Sequence, residues 1–268
     1  MRSRPAMRVL PTLAAALLTV GVSACGDSAP APEPSPTPSV SAPPPDQDAR
    51  VALAARAALA EDHRFSAMYT LESRGSAPRS VLATVAADGT WRVDIPSGAL
   101  GGTTDVSIAQ LPTGLFQCAI PSATNPVSPS CVRVAEAGKR VPRRYDPKVQ
   151  RVFRQWLPVF TDRQAALSVT AAEPLPGSSG SCFSIDTISA SLSAPVDVGI
   201  YCYADDGLLT AARVKFGTLT IAGAPAGAPP TVDLPGPVTG GEPMGLQTPP
   251  PPAPVQPSAG LSASAPSA

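Results

Sequence analysis

Two Asp-Gly pairs, Asp88-Gly89 and Asp206-Gly207, each stand between runs in which apolar and polar residues alternate. Glycine takes the positive φ that a tight hairpin turn needs, and alternation turns one face of each strand toward a core. Around the first pair the runs are "SVLATVA" and "WRVDI". Val81, Ala83 and Val85 therefore share a face, and Trp91, Val93 and Ile95 line the returning strand. The pattern recurs in "DVSIAQLPTGLFQCAI", with its turn at Pro112–Gly114, and in "VGIYCYADDGLLTAARVKFGTLTIAG". "SAMYTLES" adds another alternating run. Successive hairpins of this kind build an antiparallel β-meander.

Two segments follow a helical period instead. In "DARVALAARAALAEDHRF", Val51, Leu53, Ala54, Ala57, Ala58 and Phe65 sit among good helix formers and Asp48 can cap the start, which predicts an amphipathic helix of about 14 residues. "DPKVQRVFRQWLPVF" offers Asp146 as N-cap, Pro147 at the first helical position, and an apolar face of Val149, Val152, Phe153, Trp156 and Leu157, with Pro158 ending or kinking it. The fold class is α+β: a meander packed over one or two α-helices, spanning residues 48–236.

The 35 prolines mark the flanks of that domain, since most lie between Gly26 and Asp46 or after Ile221. Residues 25–47 read as an extended proline-rich linker. Residues 237–268 have one charge and no periodic apolar face, which predicts a disordered tail.

Four cysteines fall inside the domain: Cys118, Cys131, Cys182 and Cys202. Three pairings connect four cysteines. Cys118–Cys131 and Cys182–Cys202 are favoured, because each brackets one short excursion and Cys118 and Cys202 lie on expected hairpin strands. A metal site is the rival, but there is no C-x-x-C and the sole histidine, His63, lies on the first helix. No metal or other cofactor is expected.

The same scarcity of histidine argues against Ser-His-Asp or Cys-His catalysis. Glu61 and Asp62 are sequence neighbours of His63, and adjacent helix residues do not face each other. "GSSGSCF" at 177–183 lacks both the nucleophile-elbow spacing and a P-loop lysine. "ADDG" at 204–207 lacks the alternating carboxylates of a calcium loop. Asp88, Asp94, Asp105, Asp186 and Asp197 are scattered, with no local sign of a carboxylate pair. The expectation is a protein that is not an enzyme. With 20 basic and 20 acidic residues the net charge is zero, which gives no electrostatic reason to expect nucleic acid. One local excess of charge, Lys139, Arg140, Arg143, Arg144, Lys148, Arg151 and Arg154, offers a basic docking patch around Arg143, Arg144, Arg151 and Arg154.

The N-terminus carries Arg2, Arg4 and Arg8, then an apolar run from Val9 to about Val22, then small residues before Cys25. This is the layout of a secretory signal over residues 1–24. Its apolar part is roughly 14 residues, short of the roughly 20 that span a bilayer as a helix. Val22, Ser23, Ala24 and Cys25 resemble the lipobox of bacterial lipoproteins. That resemblance implies diacylglyceryl transfer to the Cys25 thiol, cleavage before it, and anchoring of the exported chain on the outer face of the cell membrane by palmitate-type acyl chains, at about 0.8 kcal/mol per buried CH₂. The Arg, Ala, Pro and Gly-rich composition, with three lysines, is similar to that of high-GC bacteria.

The order of helix, hairpins, second helix and further meander on such a chain resembles the LolA-like lipoprotein carriers and the similar mycobacterial LppX/LprG lipoproteins, over roughly residues 48–224. The resemblance implies a strongly curved sheet, a half-barrel, holding an envelope lipid, glycolipid or other apolar ligand between sheet and helix. Leu53, Leu59, Phe65, Phe153, Trp156 and Phe160 would line that space or fill it. If they fill it, the expectation becomes an interaction or sensor module that docks a protein or wall polymer on the basic patch.

Overall fold

The structure, a computed structural model, describes residues 45–123, 125–188 and 194–248. The signal segment, Val22–Cys25, most of the linker and residues 249–268 lie outside the described residues. The chain begins with helix α1 (Pro45–Asp62), then strands β1 (Phe65–Glu72), β2 (Arg79–Val85), β3 (Trp91–Ala99), β4 (Thr104–Leu111), β5 (Gly114–Ile120) and β6 (Ser130–Ala135). A crossover over 136–166 contains the short helix α2 (Leu157–Thr161). Strands β7 (Leu167–Ala172), β8 (Ser181–Thr187), β9 (Gly199–Tyr203), β10 (Leu209–Val214) and β11 (Gly217–Ile221) follow.

All eleven strands form one open antiparallel sheet in the order β6-β5-β4-β3-β2-β1-β11-β10-β9-β8-β7. The first meander ends at one edge. The crossover carries the chain to the opposite edge, and the second meander returns until β11 pairs with β1, as at Tyr69 opposite Ile221. Alternation sorts the faces. Leu71, Val81, Val93, Ile108, Leu115, Ile185, Tyr201 and Leu219 join α1 and the crossover in one inner core. Two small clusters sit on the outer face, each around a disulfide: Phe116 with Cys118–Cys131, and Leu175 with Cys182–Cys202. Both bridges join residues directly opposite in register, so the favoured pairing is the one found. Each bridge closes a loop whose restriction in the unfolded chain stabilises by about 3 kcal/mol.

Three expectations change. Helix α1 starts at Pro45, whose missing N–H costs nothing in a first turn, and Phe65 opens β1 rather than extending the helix. Its buried stripe is Ala49, Leu53, Ala57 and Ala60, while Val51 and Leu59 face outward. The second expected helix is not continuous. Lys148 adopts a left-handed conformation at φ 68°, and the Asp146 carboxylate accepts bonds from the Lys148 N–H, the Gln150 amide and the Arg151 guanidinium instead of capping a helix. Two 3-10 turns (Arg143–Tyr145 and Val149–Val152) result, and Pro158 lies in the first turn of α2 rather than ending a helix.

The third change concerns the tail. Residues 237–248 are part of the fold. After β11 the chain bridges Ser66 through Ala226 and passes the β2–β3 turn, where Ala87 and Asp88 donate to Pro229 and Pro230. Leu234 packs against the outer-face cluster of Phe116, Cys118 and Cys131. The chain then pairs alongside β6, with Cys131 donating to Pro237 and Thr239 donating to Cys131, and comes under the inner face at Met244. Prolines serve here because only some backbone groups need partners, and the strap covers an edge strand that would otherwise be open to another chain.

Candidate functional site

The inner face of the sheet is the candidate site, and the crossover lies on it. Phe153 meets Tyr69 edge-on at 4.9 Å between ring centres, and Trp156 and Phe160 meet Tyr201 at 6.0 and 5.1 Å. Leu53, Phe65, Phe153, Trp156 and Phe160 are all buried in this core. The structure therefore brings five of the six expected lining residues together, as mutual packing, and leaves Leu59 outside at 46% exposure. Edge-to-face rings add roughly 0.5–1.5 kcal/mol per pair beyond burial.

Polar groups sit inside this apolar layer. The Tyr69 hydroxyl donates to the Leu209 carbonyl at 2.8 Å. Burial pushes the Tyr69, Tyr201 and Tyr203 hydroxyls well above the ordinary tyrosine range, with the neighbouring tyrosine adding to the effect at Tyr69 and Tyr201. Tyr203 Oη, Trp156 Nε1, Gln150 Oε1 and Arg151 Nε are buried without hydrogen-bond partners.

Helix α1 is fastened by three arginines. Arg50 donates to the carbonyls of Asp162, Ala165 and Leu167, Arg56 bonds Asp205, and Arg154 donates to the Glu61 carbonyl at 2.7 Å. Burial and then the nearby Arg64 lower the Arg154 pKa, while Glu61 and Asp62 oppose them.

The basic run does not form one patch. Arg151 is turned inward onto Asp146. Arg144 stacks on the Tyr145 ring and approaches Glu242 of the strap at 3.5 Å. Arg143 and Arg144 line a cleft with Leu100 and Leu246, whereas Arg154 lines a different one with Lys139 and Arg140. Spacing along a helix that does not form had placed them together.

Two clefts open where the crossover meets the sheet. One, of about 250 Å³, lies between Leu71, Ile95, Ala99, Val149, Phe216 and Leu246, with Arg79 and Lys148 at its margin. Beside it fall all three non-glycine residues of positive φ among the described residues: Ser97, Leu100 and Lys148. The other, of about 360 Å³, is bounded by Trp91, Gln110, Lys139, Arg140, Arg154 and Gln155. Gln155 has no local signal, because an isolated glutamine in an apparent helix reads as a surface residue.

Among the described residues no cluster of histidine, cysteine and carboxylate side chains suited to a metal occurs, and no helix is long and apolar enough to cross a membrane. No family model matches the chain, and no curated protein matches it.

Proposed function

We propose that this chain is a non-catalytic exported lipoprotein, anchored at the outer face of the cell membrane through Cys25, whose sheet receives an acyl chain or another apolar ligand on its inner face. The observation that supports this reading is the nature of the cover. A continuous apolar sheet face is closed by a crossover with only a five-residue α-helix, and that crossover buries Gln150 Oε1, Arg151 Nε and Trp156 Nε1 without partners. Each such group costs about 1–3 kcal/mol, which is recovered when the group reaches water. These groups offset part of the apolar burial that holds the crossover down, and an acyl chain replaces the apolar contacts it gives up on leaving.

A second reading, an envelope interaction module with a permanently filled core, is favoured by the aromatic contacts of Phe153, Trp156 and Phe160 with the sheet. One experiment separates the two. The full chain is expressed with its export signal, purified in a nonionic detergent, and examined by native mass spectrometry, with organic extraction of anything that co-purifies. A stoichiometric adduct of lipid mass, beyond the anchor on Cys25, supports the carrier. A protein carrying only its anchor, both before and after incubation with phospholipid vesicles, overturns it and leaves the interaction module.

A further inference from the structure

We propose that the cleft between the crossover and the sheet, where Trp91 at the start of β3 pairs with Gln110 near the end of β4, binds a phosphate group, free or carried by a larger molecule. Three cations border it: Lys139 and Arg140 from the loop after β6, and Arg154 from the crossover. Lys139 and Arg140 are exposed and form no ion pair among the described residues, in contrast to Arg133, which is paired with Glu136 a few residues earlier. Arg154 is anchored by its bond to the Glu61 carbonyl, with the Glu61 and Asp62 carboxylates and Arg64 in its surroundings. The loop that presents Lys139 and Arg140 is itself held, since the Gly138 N–H donates to the Gln110 side chain at 3.1 Å.

A second observation is independent of charge. Gln155, next to Arg154, also lines the cleft, and both polar atoms of its side-chain amide are buried without a hydrogen-bond partner. A buried amide left unbonded is costly, and such groups in a folded protein call for an explanation. A phosphate oxygen accepts from the amide nitrogen as well as from guanidinium and ammonium groups, in charge-assisted bonds about twice as strong as neutral ones. The cleft volume of about 360 Å³ lies within the range of small-molecule sites, roughly 300–1,000 Å³. Pro158, Val159 and Trp91 give it an apolar side where the rest of a phosphorylated molecule would lie. Sheet and crossover form the cleft together, so the site belongs to the conformation in which the crossover lies on the sheet, and it stands equally if the inner face takes no ligand.

The test is calorimetric titration of the full chain, purified in a nonionic detergent, with inorganic phosphate and with dihexanoyl phosphatidic acid. Two variants accompany it: Lys139→Ala combined with Arg140→Ala, whose side chains are exposed, and Gln155→Glu, which repels an anion from the amide position. Retained near-UV circular dichroism shows that each is folded. Binding of either probe, weakened about tenfold or more in both folded variants, supports the site. Saturation by inorganic phosphate points to a free phosphorylated solute, and binding of the amphiphile alone points to a lipid headgroup. Absence of binding of both probes, or equal binding by the wild type and the double variant, overturns the proposal. If Gln155→Glu does not fold, Gln155→Leu takes its place and is expected to weaken binding by a smaller factor.

Discussion

At the scale of single residues, two glycines in equivalent turns carry different loads. Gly89 and Gly207 both have positive φ, 84° and 89°, as their Asp-Gly pairs required. A Cβ at Gly89 would meet open space, but one at Gly207 would lie 2.4 Å from the Ala60 backbone nitrogen, because this turn rests on the end of α1. Gly89→Ala is expected to cost about 1–2 kcal/mol, the price of a left-handed conformation for an L-residue. Gly207→Ala carries the same strain plus a clash with backbone that cannot rotate away, so its loss exceeds that of Gly89→Ala. Urea denaturation of the two variants measures the difference, and equal losses would show that the turn does not bear on α1. Both turns were legible in the sequence, since Asp-Gly between alternating runs is a local signal. The contact of one turn with α1 was not, because nothing local distinguishes the pairs.

Secondary-structure elements divide along the same line. The strands flanking Asp-Gly and Pro112–Gly114 turns were readable. Strands β6, β7 and β8 were not, because longer connections without that turn signal join them. The crossover misled in an instructive way: Val149, Val152, Phe153, Trp156 and Leu157 are all buried as their spacing predicted, yet 3-10 turns bury residues three apart as readily as a helix does. The strap has no periodic signal because backbone hydrogen bonds and Gln117, rather than a continuous apolar face, hold it. Gln117 is buried, donates to the Tyr145 and Met244 carbonyls, and accepts from the Met244 N–H at 2.7 Å. Ending the chain after residue 248 keeps every contact described above, whereas ending it after 236 strands Gln117 and bares β6. The expected cost of the shorter chain is about 1–3 kcal/mol or more, read from its denaturation midpoint, together with a tendency to self-associate. Equal midpoints for the two truncations would show that the strap contributes nothing. The disulfides act independently, since each lies on the outer face away from the crossover. Replacing Cys182 and Cys202 together by serine should cost about 3 kcal/mol in denaturant and leave the inner core unaltered, as judged by near-UV circular dichroism.

For the whole molecule, the tyrosines report whether sheet and crossover stay together. The chain has four, and all four have pKa values raised above the ordinary 10.0, Tyr69, Tyr201 and Tyr203 chiefly by burial, and Tyr145 by burial and then its bond to Glu242. A group whose pKa is raised on folding contributes stability that is fully present below its unfolded value and is lost as the pH rises through the folded one. The fold should therefore be insensitive to these groups below pH 10 and lose stability progressively above it. In the closed conformation the tyrosinate absorbance of Tyr69, Tyr201 and Tyr203 should rise only as the sheet's far-UV signal disappears, since for these three ionisation and unfolding are then one event, and a Tyr145→Phe background removes the fourth tyrosine from the signal. A crossover that detaches while the sheet persists gives a different trace. Tyr69 loses Phe153, Tyr201 loses Trp156 and Phe160, and both hydroxyls meet water. Part of the tyrosinate signal would then appear nearer the ordinary value with the sheet intact, and more of it when an acyl ligand holds the crossover off. Titrating the chain with and without phospholipid vesicles thus measures the opening itself. A single coincident transition under both conditions would mean that the aromatic layer never parts from the sheet, and an apolar ligand would have no route to the inner face.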